Sequence, residues 1–122
     1  MGKLTINVTG LSTKGAANVQ FAIYDEKTFL KVDIPPFNKI IKSDNYEMVS
    51  AYFDLPEGEY AVAVFQDLNE DGKMNTNFFG MPTDPYGFSL NYKPLFRGPK
   101  FYECSFLIEK NENKTLNIKL IK

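Results

Sequence analysis

Apolar and polar residues alternate along most of this chain. Leu4, Ile6 and Val8 share one face of residues 3–9, with Thr5, Asn7 and Thr9 on the other, the period of a half-buried strand. Residues 18–24 repeat the pattern with Val19, Phe21 and Ile23, and residues 47–55 with Val49, Ala51, Phe53 and Leu55. Near the C-terminus Leu116, Ile118 and Leu120 alternate with Asn117 and Lys119. Residues 59–66 differ, because Tyr60, Val62 and Val64 face one way and Ala61, Ala63 and Phe65 the other. A strand that is apolar on both faces is expected at the centre of a sheet, covered on both sides.

Pro56 and Gly58 supply the turn before that strand, and Pro35-Pro36 breaks the chain before a short strand. The predicted strands are 3–11, 17–25, 39–43, 46–55, 59–66, 101–110 and 114–121. No amphipathic helix is predicted, and Asp25–Leu30 forms one turn at most. The expected fold class is all-β: a single seven-stranded antiparallel β-sandwich, one domain over residues 1–122, with a long ordered loop excursion at 66–100. Loops of that length inside a compact domain are usually functional or disordered. Phe78, Phe79, Tyr86, Phe88, Tyr92 and Phe96 make this one too aromatic for disorder.

Composition narrows the chemistry. The 122 residues are 43% apolar and 24% charged, with a net charge of −1. That balance fits an ordinary soluble domain and offers no basic field for nucleic acid or anionic lipid. Arg97 is the only arginine, and there is no histidine. Mechanisms of the Ser-His-Asp, Cys-His and His-metal kinds are therefore excluded. Cys104 is the only cysteine, so no intrachain disulfide forms. No apolar run approaches the ~18–20 residues of a membrane span. Met1-Gly2-Lys3 runs straight into the strand pattern, and no signal peptide is read there.

The stretch "DLNEDGKMNTN", residues 67–77, carries the most specific chemistry. Counted from Asp67, oxygen-bearing side chains stand at positions one, three and five: Asp67, Asn69 and Asp71. Gly72 follows, then Lys73 where a backbone carbonyl would serve, and Asn75 at position nine. This is the order of a calcium loop, in which alternate oxygens turn inward around a hard cation and glycine permits the sharp turn. Position twelve is Phe78, so the bidentate carboxylate is missing. The flanks read as strand and loop, not as two helices. The expected affinity is weak, about 10⁻⁴–10⁻³ M. The competing reading is a polar loop in which Asp71-Gly72 makes a hairpin-type turn.

Segment 78–102 supports either a ring-lined binding surface beside the acidic loop or a second small core under a long loop. The excess of Phe over Tyr and the absence of Trp favour the second core. Lys93, Arg97 and Lys100 read as a solvated rim. Alternation places Cys104 on one face with Tyr102, Phe106 and Ile108, as a small core residue with no histidine to activate it. Asn7-Val8-Thr9 and Asn113-Lys114-Thr115 match the glycosylation sequon, a match common by chance.

The middle of the chain, "YAVAVFQDLNEDGKMNTNFFGMPTDPYGFSLN", resembles the signature of a bacterial family catalogued only as a domain of unknown function. Asp67, Asn69, Gly72, Lys73, Thr76, Asn77, Gly80, Pro82, Tyr86, Gly87, Phe88, Ser89 and Asn91 carry the match. "LTINVTGL" and "VQFAIYDE" resemble that family's opening strands. Gln66 stands where the family usually has histidine, Asn75 where it usually has aspartate, and Leu90 where it usually has asparagine. The change at Asn75 lowers the expected calcium affinity. The resemblance implies a secreted or periplasmic protein and no known activity. "LPEGEYAVAV" is similar to the Gly-x-Tyr turn-and-strand of prealbumin-like and Cna-B-type sandwich domains, so the sandwich is expected to be of the immunoglobulin or prealbumin-like kind.

The expected function is a non-enzymatic cell-envelope or secreted module. Asp67, Asn69, Asp71, Lys73 and Asn75 would hold a weak structural Ca²⁺. That ion would order an aromatic-rich loop presenting Phe79, Tyr86, Phe88 and Asn91 to a protein, peptide or carbohydrate ligand. Two alternatives remain open: a metal-dependent hydrolase using the acidic loop, and a purely structural domain with no ligand.

Overall fold

The computed structural model describes residues 1–11, 18–29, 31, 35–43, 47–67, 85–92 and 99–121. The described strands are β1 (Gly2–Thr9), β2 (Asn18–Tyr24), β3 (Phe37–Lys42), β4 (Val49–Leu55), β5 (Gly58–Asp67), β6 (Tyr86–Phe88), β7 (Phe106–Ile108) and β8 (Asn113–Lys119). A 3-10 turn spans Ser89–Asn91, and a short helix, α1, spans Phe101–Cys104. One sheet has the order β4-β1-β8, and the other has the order β3-β2-β5-β6, with β7 also paired to β5.

The alternation accounts for the main core. Leu4, Ile6, Val8, Ala51, Phe53, Leu55 and Ile118 from the first sheet meet Val19, Phe21, Ile23, Val62 and Val64 from the second, all buried. Each fully buried Val, Leu, Ile or Phe contributes about 1.5–3 kcal/mol over an exposed one. The other face of β5 is covered too. Ala61 and Ala63 lie under Tyr24, Phe29, Tyr86, Phe88 and Cys104, a second apolar layer outside the second sheet. β5 is thus buried on both faces, as its sequence requires.

The outcome differs from the expected sandwich in three places. Among the described residues there are eight strands rather than seven, because Tyr86–Phe88 pairs with β5 inside the long excursion. The sheets are not purely antiparallel, since β1 and β8 run parallel, with Ile6 opposite Leu116 and Val8 opposite Ile118. A period-two pattern reports which side chains are buried, not the direction of the neighbouring strand. Residues 101–110 are not one strand. Phe101–Cys104 is helical before β7 begins, with the Lys100 N–H donating to Glu103 Oε1 at 2.7 Å. Helical spacing turns Phe101 and Cys104 towards the second layer. It also leaves Tyr102, expected on the buried face with Cys104, 70% exposed.

The two sheets also meet at one edge. Tyr86 and Ile121 exchange backbone hydrogen bonds of 3.1 and 2.6 Å, which joins β6 to the chain just after β8. Gly87 permits this approach. A Cβ there would lie 2.6 Å from Ile118 Cγ2 and 3.3 Å from Leu120 Cδ2, inside ordinary contact distance.

Candidate functional site

The candidate site begins at the last residues of β5, Gln66 and Asp67. Asn18 of β2 lies opposite Asp67, and Val19 opposite Gln66. On the other edge Tyr86 lies opposite Phe65, and the Gln66 N–H donates to the Pro85 carbonyl at 2.9 Å. The described residues thus bring Asp67, the last of β5, and Pro85 to neighbouring points on the same strand. Both ends of the excursion are fixed by backbone pairing to a strand buried on both faces.

The exit point is polar and buried. Gln66, Asp67 and Ser43 have no exposed surface. Gln66 Nε2 donates to Ser43 Oγ at 3.5 Å, and no described buried side-chain nitrogen or oxygen lacks a partner. A carboxylate this deep requires compensation from neighbouring groups. Gln66 falls on the core-facing side of β5, two residues after Val64. Asp67 falls on the side of the second layer.

Of the expected metal ligands, the structure describes only Asp67. Asn69, Asp71, Lys73 and Asn75 lie outside the described residues, as does Phe79. Among the described residues, no three Asp, Glu or Cys side chains are close enough to hold a metal ion together.

The other three expected ligand-binding residues lie at the return of the excursion. Tyr86 and Phe88 are buried, with ring centroids 5.8 Å apart in an edge-to-face arrangement. Burial also raises the Tyr86 phenol above its ordinary pKa. Asn91 is exposed at the rim. Its Nδ2 donates to the Asn117 carbonyl at 3.1 Å, and its Oδ1 accepts the Lys119 N–H at 2.9 Å. The Asn91 amide thus acts as one more residue of strand along the edge of β8. Its φ of 53° is one that asparagine tolerates.

Two residues of this region enter the sequence analysis only through the family resemblance, Ser89 as a match and Gln66 as a departure, with no structural role expected of either. Ser89 is fully buried; its Oγ accepts the Val62 N–H at 3.0 Å and donates to the Cys104 carbonyl at 2.5 Å. It ties β5 to α1 where β6 has ended. Apart from that match, its sequence signal is a hydroxyl residue directly after an aromatic one. Gln66 carried a clearer signal, a polar residue at a position where the alternation Tyr60, Val62, Val64 calls for an apolar one.

Cys104 is a buried free thiol. Burial pushes its pKa up from the ordinary 9.0 to about 11; a hydrogen bond with Ser89 lowers it, and the nearby charge of Glu103 raises it. Its sulfur contacts the Lys100 carbonyl at 3.8 Å. The group is a neutral thiol at physiological pH, not a nucleophile.

No helix among the described residues is long and apolar enough to cross a membrane. Comparison with curated proteins and with solved structures gives no match. A family model described as "uncharacterized protein conserved in bacteria (DUF2141)" matches residues 6–117. This span runs from the first strand to the last and includes the polar exit of β5, so the chain belongs to that bacterial family.

Proposed function

We propose that the chain is a non-enzymatic β-sandwich module of the bacterial periplasm or exterior, with a weak structural calcium loop at residues 67–77. The observation that carries this reading is the position of Asp67. It is a buried carboxylate at the end of a strand held on both faces, and the first residue of the D-x-N-x-D-G spacing. Asn69, Asp71, the Lys73 carbonyl and Asn75 complete the oxygen set in this reading. Because both ends of the excursion are anchored, an ion bound inside it would order residues 68–84 as a unit. Phe79 would then be the ring presented to a protein, peptide or carbohydrate ligand, while Tyr86, Phe88 and Asn91 carry the foot of the loop. The prealbumin-like form of the sandwich is supported by Tyr60, whose hydroxyl donates back to the Pro56 carbonyl at 2.7 Å and closes the Gly-x-Tyr turn.

The test is a thermal melt in calcium, in magnesium and in EDTA. With a dissociation constant near 10⁻³ M, 10 mM calcium should add about 1.4 kcal/mol, or roughly 5 °C. The rise should vanish in the Asp67→Ala/Asp71→Ala variant. No calcium-specific rise, or one that survives in the double variant, would remove the metal from the reading. The competing reading is a structural domain with no ligand. It is favoured by the internal partners of Tyr86, Phe88 and Asn91, and it calls for identical melts in all three solutions.

A further inference from the structure

The two outer edges of the β4-β1-β8 sheet are treated differently. Along β8, the Asn91 amide occupies the backbone groups of Asn117 and Lys119. Along β4, the described residues provide only one side chain. Lys39, reaching from β3 in the opposite sheet, donates its ammonium to the Tyr52 carbonyl and sits 4.9 Å from the centre of the Phe53 ring. A cleft of about 400 Å³ opens beside it, lined by Lys3, Thr5, Lys39, Tyr52 and Asp54 among others.

That one contact fixes the geometry of the edge. A carbonyl of Tyr52 that reaches Lys39 points away from β1. In an antiparallel strand the N–H and C=O of a residue point the same way, and the direction alternates along the chain. Ser50, Tyr52 and Asp54 therefore all direct their backbone groups outward. β4 is seven residues long, alternates regularly and contains no proline. An edge of this kind is a template for pairing, and lysine is a common guard against it.

We propose that the outer edge of β4 is a strand-pairing surface for a second copy of this chain, held closed by Lys39. The proposal is independent of the calcium loop. Its ground is self-complementarity. Antiparallel pairing about a two-fold axis at Tyr52 places Tyr52 of one copy against Tyr52 of the other, with both backbone pairs exchanged. On the core side it sets Phe53 opposite Ala51 and Leu55 opposite Val49, apolar against apolar. On the outer side the only charge, Asp54, meets the Ser50 hydroxyl, so no like charges are opposed. Cross-strand pairs of these types stabilise a ladder, and a two-fold arrangement closes on itself as a dimer. To pair, the edge must first release the Lys39 ammonium from the Tyr52 carbonyl.

Sedimentation equilibrium of the full chain tests this. Lys39→Met keeps the aliphatic stem and removes the donor. It should lower the dimer dissociation constant about tenfold or more, the weight of one hydrogen bond to a charged group. Adding Ser50→Asp sets carboxylate against carboxylate in the two-fold register and should return the variant to monomer. A urea titration confirms that both variants fold. If Lys39→Met sediments as the native chain does, Lys39 guards nothing. If the double variant remains dimeric, the pairing is not through this register of β4. Either result overturns the proposal.

Discussion

Ser89→Ala tests whether a side chain can be an obligatory part of this sheet. The hydroxyl is buried, accepts the Val62 N–H and donates to the Cys104 carbonyl. Alanine removes one oxygen and leaves both backbone groups without a partner, in a region closed to bulk water. Each buried backbone group so stranded costs about 1–3 kcal/mol, and together they should cost about 2–6 kcal/mol. A domain of this size has roughly 5–15 kcal/mol in all, so the melting temperature should fall by roughly 8–23 °C. Urea titration is the assay. The slope against urea should not change, because the surface exposed on unfolding is nearly the same. Asn91→Ala is the matched control. Asn91 also makes two hydrogen bonds to backbone, but it is exposed, so water replaces the lost groups and the cost should be about 1 kcal/mol or less. If Ser89→Ala costs no more than Asn91→Ala, burial does not set the energy of these bonds and the reasoning fails.

Three further outcomes are expected. Gly87→Ala should destabilise by about 1–3 kcal/mol in the same titration, because its Cβ would meet Ile118 Cγ2 at 2.6 Å inside a packed core; an unchanged midpoint would mean that β6 can move off β8 at no cost. Leu90 holds a φ of 64° with an exposed side chain, so Leu90→Asn, which suits that conformation, should stabilise by about 1 kcal/mol; a loss would show that the Leu90 side chain has a packing role. Cys104 makes stability pH-dependent: its folded pKa, about 11, lies above the ordinary 9.0, so the folded state holds its proton longer. Its contribution is complete below about pH 9 and is lost as pH rises towards 11. Cys104→Ala should flatten that part of the stability profile, and an unaltered slope between pH 9 and 11 would count against the assignment.

Much of the sandwich was legible because burial follows the period of the chain. β5 is the clearest case. Two apolar faces required two cores, and the structure supplies both. The misreadings arose where period two and period 3.6 agree on the important residues. Phe101 and Cys104 are three apart, and Cys104, Phe106 and Ile108 are two apart, so a helical turn running into a strand and a single strand bury the same Cys104, Phe106 and Ile108. Phe101 and Tyr102 separate the two conformations: a strand sets Tyr102 on the side of Cys104 and Phe101 opposite, a helical turn does the reverse, and as aromatics both suit either arrangement. The parallel course of β1 and β8 was not legible, because their inward residues are apolar in either direction.

Legibility of the site depends on Gln66 and Asp67, adjacent residues on opposite faces of one strand. The proposed loop chemistry rests on the spacing of Asp67, Asn69, Asp71 and Asn75. Gln66 is informative for another reason: it breaks the core pattern of β5, and a polar residue that does so needs a partner brought from elsewhere in the fold. Ser43, more than twenty residues earlier, lies after β3 with nothing in the local sequence to associate it with β5. A strand that turns polar on both faces within two residues can no longer be covered by apolar layers. Such a strand must leave the sheet or be met by hydrogen-bonding groups, and Gln66 is met by the Ser43 hydroxyl. Any ligand chemistry at 67–77 therefore inherits its position from the end of the two cores. Gln66→Leu separates the two effects. By extending the apolar face it should leave β5 paired to β2 and retain or raise stability. A calcium response, if carried by Asp67 and Asp71 alone, should be unchanged in the melt. A response lost in Gln66→Leu would instead place the buried Ser43–Gln66 pair within the support of the loop.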